Sequence, residues 1–344
     1  MSSLVLRRLC HATKFGLVLA LTPTLAFAEP AQEVPRYATT SDRTLPAPFV
    51  LPELSHPRMD ARLDWFIGRI APELPSRPTA IAAIVRPSFE ASILVPRRLY
   101  VGLAWPFASA LPPDGGLAPG EAGEPSGRRV LLGNIEGECR LVLPMPTSLE
   151  IGFHLGVVVP TSPARSDVRA DRSAIHAVST LDPANYAHFA PDRVGLRPAA
   201  DVRIVRGPIV FQGREGLDFL IHAEGTERIK VAGRLLAHLG YVPRRDIELS
   251  IEATHLYFLS SEDRITGELT PERAFAAKYR ISDGRRSATT IGPAVRFSLR
   301  DVDVGASLVT NLGDPLSPAS VGFVVLRVSV VGHIGPRPEG GQDR

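Results

Sequence analysis

Four histidines, His154, His222, His238 and His333, occupy stretches in which polar residues recur at every second position, and the stretch after His238 brings Glu248, Ser250 and Glu252 to alternate places. A hydroxyl, an imidazole and a carboxylate are the parts of an acyl-transfer or hydrolytic site, provided they converge in space. No spacing in the chain singles out such a triad. The same residues serve equally well in a charged network, and that network has more members: Glu136, Glu138, Arg140, His154, Lys230, Arg234, His238, Glu248, Glu252, Arg296 and Arg327. Lining a pore, these side chains would set solute selectivity as rings of charge do. No catalytic residue, metal ligand or cofactor is expected, because the two cysteines, Cys10 and Cys139, form no metal-binding spacing with histidine.

What positions these residues is an alternation of period two. In "GNIEGECRLVLPMPTSLEIGFHLGVVVPTS", residues 133 to 162, Gly133, Ile135, Gly137, Cys139, Leu141 and Leu143 face one way, and Asn134, Glu136, Glu138 and Arg140 the other. After "PMPT" the pattern resumes, with Leu149, Ile151, Phe153, Leu155, Val157 and Val159 against Glu150, Gly152, His154 and Gly156. Similar runs begin at Ile81, Leu99, Val202, Phe211, Ile229, Ile247, Ile291, Val302 and Val324; only Glu215 breaks the run that starts at Phe211. Strict alternation over such lengths is the mark of strands with two unlike faces. "ARLDWFIGRIA", 61 to 71, reads either as a strand or as a short amphipathic helix.

The first 28 residues carry Arg7, Arg8 and Lys14, an apolar segment from Phe15 to Leu21, and Ala26-Phe27-Ala28, which together read as a cleaved export signal. The whole chain has 39 Lys plus Arg against 36 Asp plus Glu; without the three basic residues of the leader the charge is balanced, so no nucleic-acid footprint remains. No segment approaches the ~18 consecutive apolar residues of a membrane helix. The pattern therefore admits an exported soluble β protein or a barrel in the outer membrane.

The connections favour the barrel. "VPRR", "PMPT", "RGP", "VPRRD" and "RD" are short and fall at one end, whereas residues 110 to 127, 161 to 194 and 260 to 288 are long and fall at the other, with "EGTER" and "GDPLSPAS" beside them. Short periplasmic turns and long outer loops distinguish a membrane barrel from a sandwich. The expected fold is thus all-β, a transmembrane antiparallel up-and-down barrel of about twelve strands if 61 to 71 forms the first; ten and fourteen are also compatible. Residues 29 to 78 would be a Pro-rich extension holding that first strand or a plug helix, 79 to 334 the barrel, and 335 to 344 a polar tail. Within the long segment 161 to 194, "RSDVRADR" reads as a solvated loop; folded inward, it would gate a pore. Trp105, Phe107, Tyr241, Tyr257 and Phe258 are expected at the membrane interfaces, and His255 on the lipid face at a boundary.

With its "LGN…VVVPTS" hairpin, the chain resembles the family of bacterial outer-membrane barrels that includes the transporters of phenol-degradation pathways, and is broadly similar to the long-chain fatty-acid transporter group. The resemblance covers residues 80 to 334. It implies outer-membrane location, contact with membrane lipid and the outer-membrane assembly machinery, and passage of small solutes, hydrophobic ones included. Such barrels end in an aromatic residue, whereas here "VVGHI" is followed by "GPRPEGGQDR". Three functions stay open: a passive channel or transporter, a non-conducting structural or surface-binding barrel, and a barrel-embedded hydrolase. Transport is favoured by the resemblance.

Overall fold

A computed structural model describes residues 51, 59–72, 79–93, 98–111, 128–144, 149–164, 169–223, 229–244, 246–259, 287–299, 301–313 and 320–334. The expected leader, most of the Pro-rich extension, the loops 112–127 and 260–286 and the tail lie outside these residues. Fourteen segments form one antiparallel sheet: β1 (Met59–Pro72), β2 (Ala80–Ser92), β3 (Leu99–Ala104), β4 (Phe107–Leu111), β5 (Arg129–Leu132), β6 (Ile135–Pro144), β7 (Leu149–Val159), β8 (Arg193–Arg206), β9 (Ile209–His222), β10 (Lys230–Arg244), β11 (Ile247–Phe258), β12 (Ser287–Leu299), β13 (Val302–Leu312) and β14 (Ser320–Ile334). β1 pairs with both β2 and β14, so the sheet closes on itself. Of the two readings of 61 to 71, the strand is the one found.

The fourteen segments make a wall of twelve strands. β4 continues β3 along the same edge of β2, with Ser88 to Ser92 paired to β3 and Ile81 to Val85 to β4. β5 and β6 likewise follow one another beside them, β5 on β4 and β6 on β3. Both interruptions fall at the same height: Trp105-Pro106 in one strand and Gly133-Asn134 in the next, joined by a bond from Gly133 N to Pro106 O of 2.8 Å. Proline removes a donor from the ladder, which confines it to edges, bulges and breaks.

Both ends of the chain's barrel portion, Met59 and Ile334, lie opposite one another at the end where the connections are short. The β8–β9 turn there is two residues long and relies on Gly207 at φ +58, the left-handed region that two-residue hairpins demand. Inward and outward faces follow the sequence alternation. Phe153, Leu155, Leu239, Ile251, Leu308 and Leu326 point out and are exposed, while Arg140, Arg197, His238, Glu252 and Arg296 point in and are buried. Arg and Glu inside with Leu and Val outside inverts a water-soluble core, and only an apolar surrounding makes the inversion stable.

Two expectations about the aromatic girdle are corrected. Trp105 and Phe107 face outward but flank the break at Pro106, far from either strand end, because their strand crosses the wall there. Phe258 belongs to the inward parity and meets Tyr186 edge-on at 5.6 Å between ring centres, so it packs inside the barrel. Tyr241 and Tyr257 keep outward positions near opposite rims, and His255 stacks on Tyr257 while sharing a 2.8 Å hydrogen bond with Thr289.

Glu215, seventh of the fourteen residues of β9, is an exposed outward carboxylate in the middle of the wall. An acid at mid-depth against hydrocarbon destabilises a barrel, less than Lys or Arg would. Glu215→Leu should therefore raise unfolding stability in lipid vesicles by on the order of 1 kcal/mol, read from urea midpoints. Loss of stability would mean that this face does not meet lipid.

Candidate functional site: a lumen filled by the β7–β8 connection

The long connection after β7 turns into the barrel. Its helix α1 (Arg169–Leu181) carries Asp171 in its first turn, where an acid complements the helix dipole. Ala174, Ala177, Val178 and Leu181 are wholly buried; this i, i+3, i+4, i+7 spacing gives one continuous apolar stripe. The stripe packs against inward residues near the long-loop end of the wall, among them Phe66, Ile70, Ile84, Leu131, Phe323 and Val325. Gly68 supplies the closest approach, since a side chain there would collide with Leu181. The solvated loop expected for this segment is thus corrected. From Arg169 on it is a helix held in the lumen by apolar burial, while residues 165–168 lie outside the described set.

After Asp182 the chain bends into a 3-10 turn, η1 (Pro183–Phe189), opened by a proline whose fixed φ suits a first helical position. Leu51, from the segment ahead of β1, is fully buried against Ala184 and Leu236, so part of the N-terminal extension also reaches the interior.

Below the apolar stripe the plug is held by charge. Asp182 accepts from Arg86 at 2.9 Å and from Asn185 at 3.0 Å, and Arg86 continues to Asp64 on β1 at 3.0 Å. The Arg86 and Arg327 guanidinium groups lie over the Phe66 ring, 5.1 and 5.2 Å from its centre. Glu136 receives Arg197 and His188, each at 2.5 Å, and Arg197 also donates to Ala184 O at 2.8 Å. Asn134, at the strand break, is the strongest single tie. Its backbone N–H donates to His188 O at 2.6 Å, its side-chain amide to Ala190 O at 2.7 Å and Ala187 O at 3.2 Å, and its side-chain oxygen accepts from Ser162 N at 2.9 Å.

Burial alone would raise the Asp182 carboxyl, but Arg86 and Arg327 outweigh it and hold the group below the ordinary carboxylate range. Burial pushes His188 below the usual imidazole value, with Arg197 and Arg86 acting in the same sense against Glu136. A neutral His188 then donates its Nε2 proton to the Glu136 carboxylate.

All eleven sequence candidates face inward. Glu136 binds the plug; Glu138 binds His154 at 2.7 Å; Arg140 meets Glu90 at 2.5 Å and lies over Tyr100. His238 sits between Glu248 at 2.5 Å and Glu252 at 3.3 Å, and Arg296 reaches Glu252 at 2.7 Å. Lys230 lies at the long-loop rim of β10 and is half-buried. The hydrolytic arrangement around Ser250 is not assembled. Both ring nitrogens of His238 are taken by carboxylates, and the Ser250 hydroxyl makes no hydrogen bond among the described residues. His333, between Asp60 at 2.8 Å and Asp303 at 3.1 Å, ties the first strand to the last two.

The residues that sequence reading missed are Asn134, Asp182, Arg86 and the apolar contacts of α1. The helix was legible as Ala174, Ala177, Val178 and Leu181. Its receptor was legible as a lapse of alternation, "AIAAIV" in β2 and "FVVL" in β14, where inward positions also turn apolar.

No family model and no curated protein matches the chain by sequence. Among solved structures, an outer-membrane channel from Pseudomonas putida F1 superposes with a TM-score of 0.55 at 10% identity, covering 86% of this chain and 99% of that one. The likeness shows the fold. The NanC and KdgM porins are more distant, at TM-scores of 0.44 and 0.41, identities of 8% and 9%, each covering 80% of this chain and 100% and 99% of their own.

A carboxylate with a depressed pKa contributes stability above the unfolded value and loses it as pH falls through the folded one. Amide exchange of residues 174–189 should accordingly stay slow on acidification through the usual carboxylate range and rise only below it. Asp182→Asn should speed that exchange at neutral pH, because breaking a buried pair costs about 3 kcal/mol. Unchanged exchange in the variant would remove Asp182 from the latch.

Proposed function

We propose that this chain is an outer-membrane channel that passes small solutes passively and is closed at rest by its own β7–β8 connection. The observation that carries this reading is the nature of the plug's seat. A structural barrel needs no movable segment in its lumen, whereas this one holds α1 by a separable apolar stripe and η1 by polar ties to Arg86, Asn134 and Glu136. The fold similarity to an outer-membrane channel supports the location, and the paired histidines give no nucleophile or base to a hydrolytic alternative. Export by a cleaved leader, insertion by the assembly machinery and the orientation with long loops outside complete the reading.

A second route has its own observation. On the outward face, Leu63, Trp65, Phe89, Leu103 and Trp105 border a groove of about 530 Å3 that is almost wholly apolar. It lies over Pro87, beside the breaks at Trp105-Pro106 and Gly133-Asn134, where two neighbouring strands are interrupted together. A hydrophobic solute dissolved in the membrane would meet the wall where its two interrupted strands adjoin, and the apolar seat of α1 lies inside the same strands.

Replacing residues 165–190 by a short Gly/Ser linker, in the full chain refolded into planar bilayers, should convert rare small current steps into frequent large ones. A deletion variant that folds but stays as silent as the parent would support the structural barrel instead. Uptake of a hydrophobic fluorophore that survives a blocked lumen and is lost in a Trp105→Ala, Phe89→Ala pair would favour the lateral route.

A further inference from the structure

Beneath the plug lies a cavity of about 110 Å3, bounded above by Asn185 and His188. Its carboxylates come from β1, β2 and β6, while Arg197, Arg214 and Arg234 come from β8, β9 and β10. In the ring of twelve strands β6, which carries Glu138, and β10, which carries Arg234, stand four places apart. Arg62 and Arg86, which also line the cavity, are committed to Asp64 and Asp182. The two sets are not segregated, since Arg197 is paired with Glu136, Arg214 with Asp201 and Arg234 with Asp218; what marks the cavity is the bonding capacity left over on its walls.

On each side one group keeps unused bonding capacity. Glu138 is bonded to an imidazole, His154, at 2.7 Å, and 26% of its side chain is exposed. Gly102 makes room for it, since a side chain there would strike the Glu138 carboxylate. On β10, Arg234 is 3% exposed, and its Nε donates at 2.7 Å to an Asp218 oxygen that Arg197 also uses at 3.2 Å. The Arg234 NH2 nitrogen makes no hydrogen bond among the described residues, nor does Nδ1 of the buried His154. A buried donor or acceptor without a partner costs free energy that a ligand recovers by supplying one.

Resting on the channel reading above, we propose that this cavity is a recognition site for a small zwitterion, with the cationic end at Glu138 and the anionic end at Arg234. The walls hold these two groups apart, so neither satisfies the other. A solute carrying both charges bonds both ends and brings in no net charge. An anion or a cation alone meets the spare bonding capacity of one wall, leaves that of the other unmet and brings an uncompensated charge into the lumen. Selectivity is the difference between these cases.

The test uses the refolded full chain and the ω-amino acids from glycine to 6-aminohexanoate as probes, beside alkyl carboxylates and alkylammonium ions of the same lengths. The readout is the temperature at which the barrel loses its compact electrophoretic mobility, titrated against each probe, since a ligand of the folded state raises it. The expected result is that the best zwitterion binds at least tenfold more tightly than either single ion of its length. Glu138→Gln and Arg234→Gln should each remove that advantage, and Gly102→Ala should reduce it while leaving every charge in place. Equal binding by the carboxylate, equal binding by the ammonium ion, or no binding at all would overturn the proposal. A conducting barrel that binds no zwitterion removes the site alone, whereas a silent barrel that still binds one removes the transport reading alone.

Discussion

Backbone amides have no water to bond in hydrocarbon, and that constraint shapes this chain more than any side-chain contact. Twelve strands meet it by closing: β1 pairs with β14 as fully as with β2. The interesting places are those where closure falters. At Trp105-Pro106 and Gly133-Asn134 two neighbouring strands lose the ladder together, and the groups released there are taken up by Pro106 O and by His188 O of the plug. Removing the plug would leave Asn134 with an unpaired backbone N–H and an unpaired side-chain nitrogen, its side-chain oxygen still held by Ser162 N. The double break in the wall and the seat of η1 are one structure.

That coupling explains why the lumen has two regions. Toward the long loops the interior is apolar because α1 needs a seat, and Phe66, Ile84, Phe323 and Val325 provide it. Toward the short turns it is charged, with arginines buried in pairs on Glu90, Glu136, Asp201, Glu150 and Glu252. Buried ion pairs stabilise little in themselves, but breaking one is expensive, which makes them better at fixing geometry than at adding stability. Here they hold the lower wall rigid while the helix above rests on separable apolar contacts.

The alternation of side chains made the strands, their faces and the end at which the turns are short readable from residues alone. In β6, Glu136, Glu138 and Arg140 against Cys139 and Leu141 could mean only two unlike faces. What could not be read was which inward residues would meet. Asp182 and Arg86 are 96 positions apart and Arg197 and Glu136 61, and nothing local encodes such pairs. Trp105 looked like an interface residue because position along a strand, and not residue type, decides depth. The inward fold of the segment beginning "RSDVRADR" stayed the lesser reading, since a polar stretch with four apolar residues at helical spacing forms a weak signal unless the receiving "AIAAIV" is read with it.

A channel closed by α1 requires the helix to leave and re-enter the lumen, and a reversible lock addresses that directly. Gly68 and Leu181 are in contact, so Gly68→Cys with Leu181→Cys, in a Cys139→Ser background, should cross-link helix to wall. Single-channel current would be recorded on the oxidised protein and again after reduction in the same bilayer. A plug that must move leaves the oxidised barrel silent and lets discrete steps return on reduction. The same current in both states would show that solutes pass without any movement of the plug, and that α1 is not the closure.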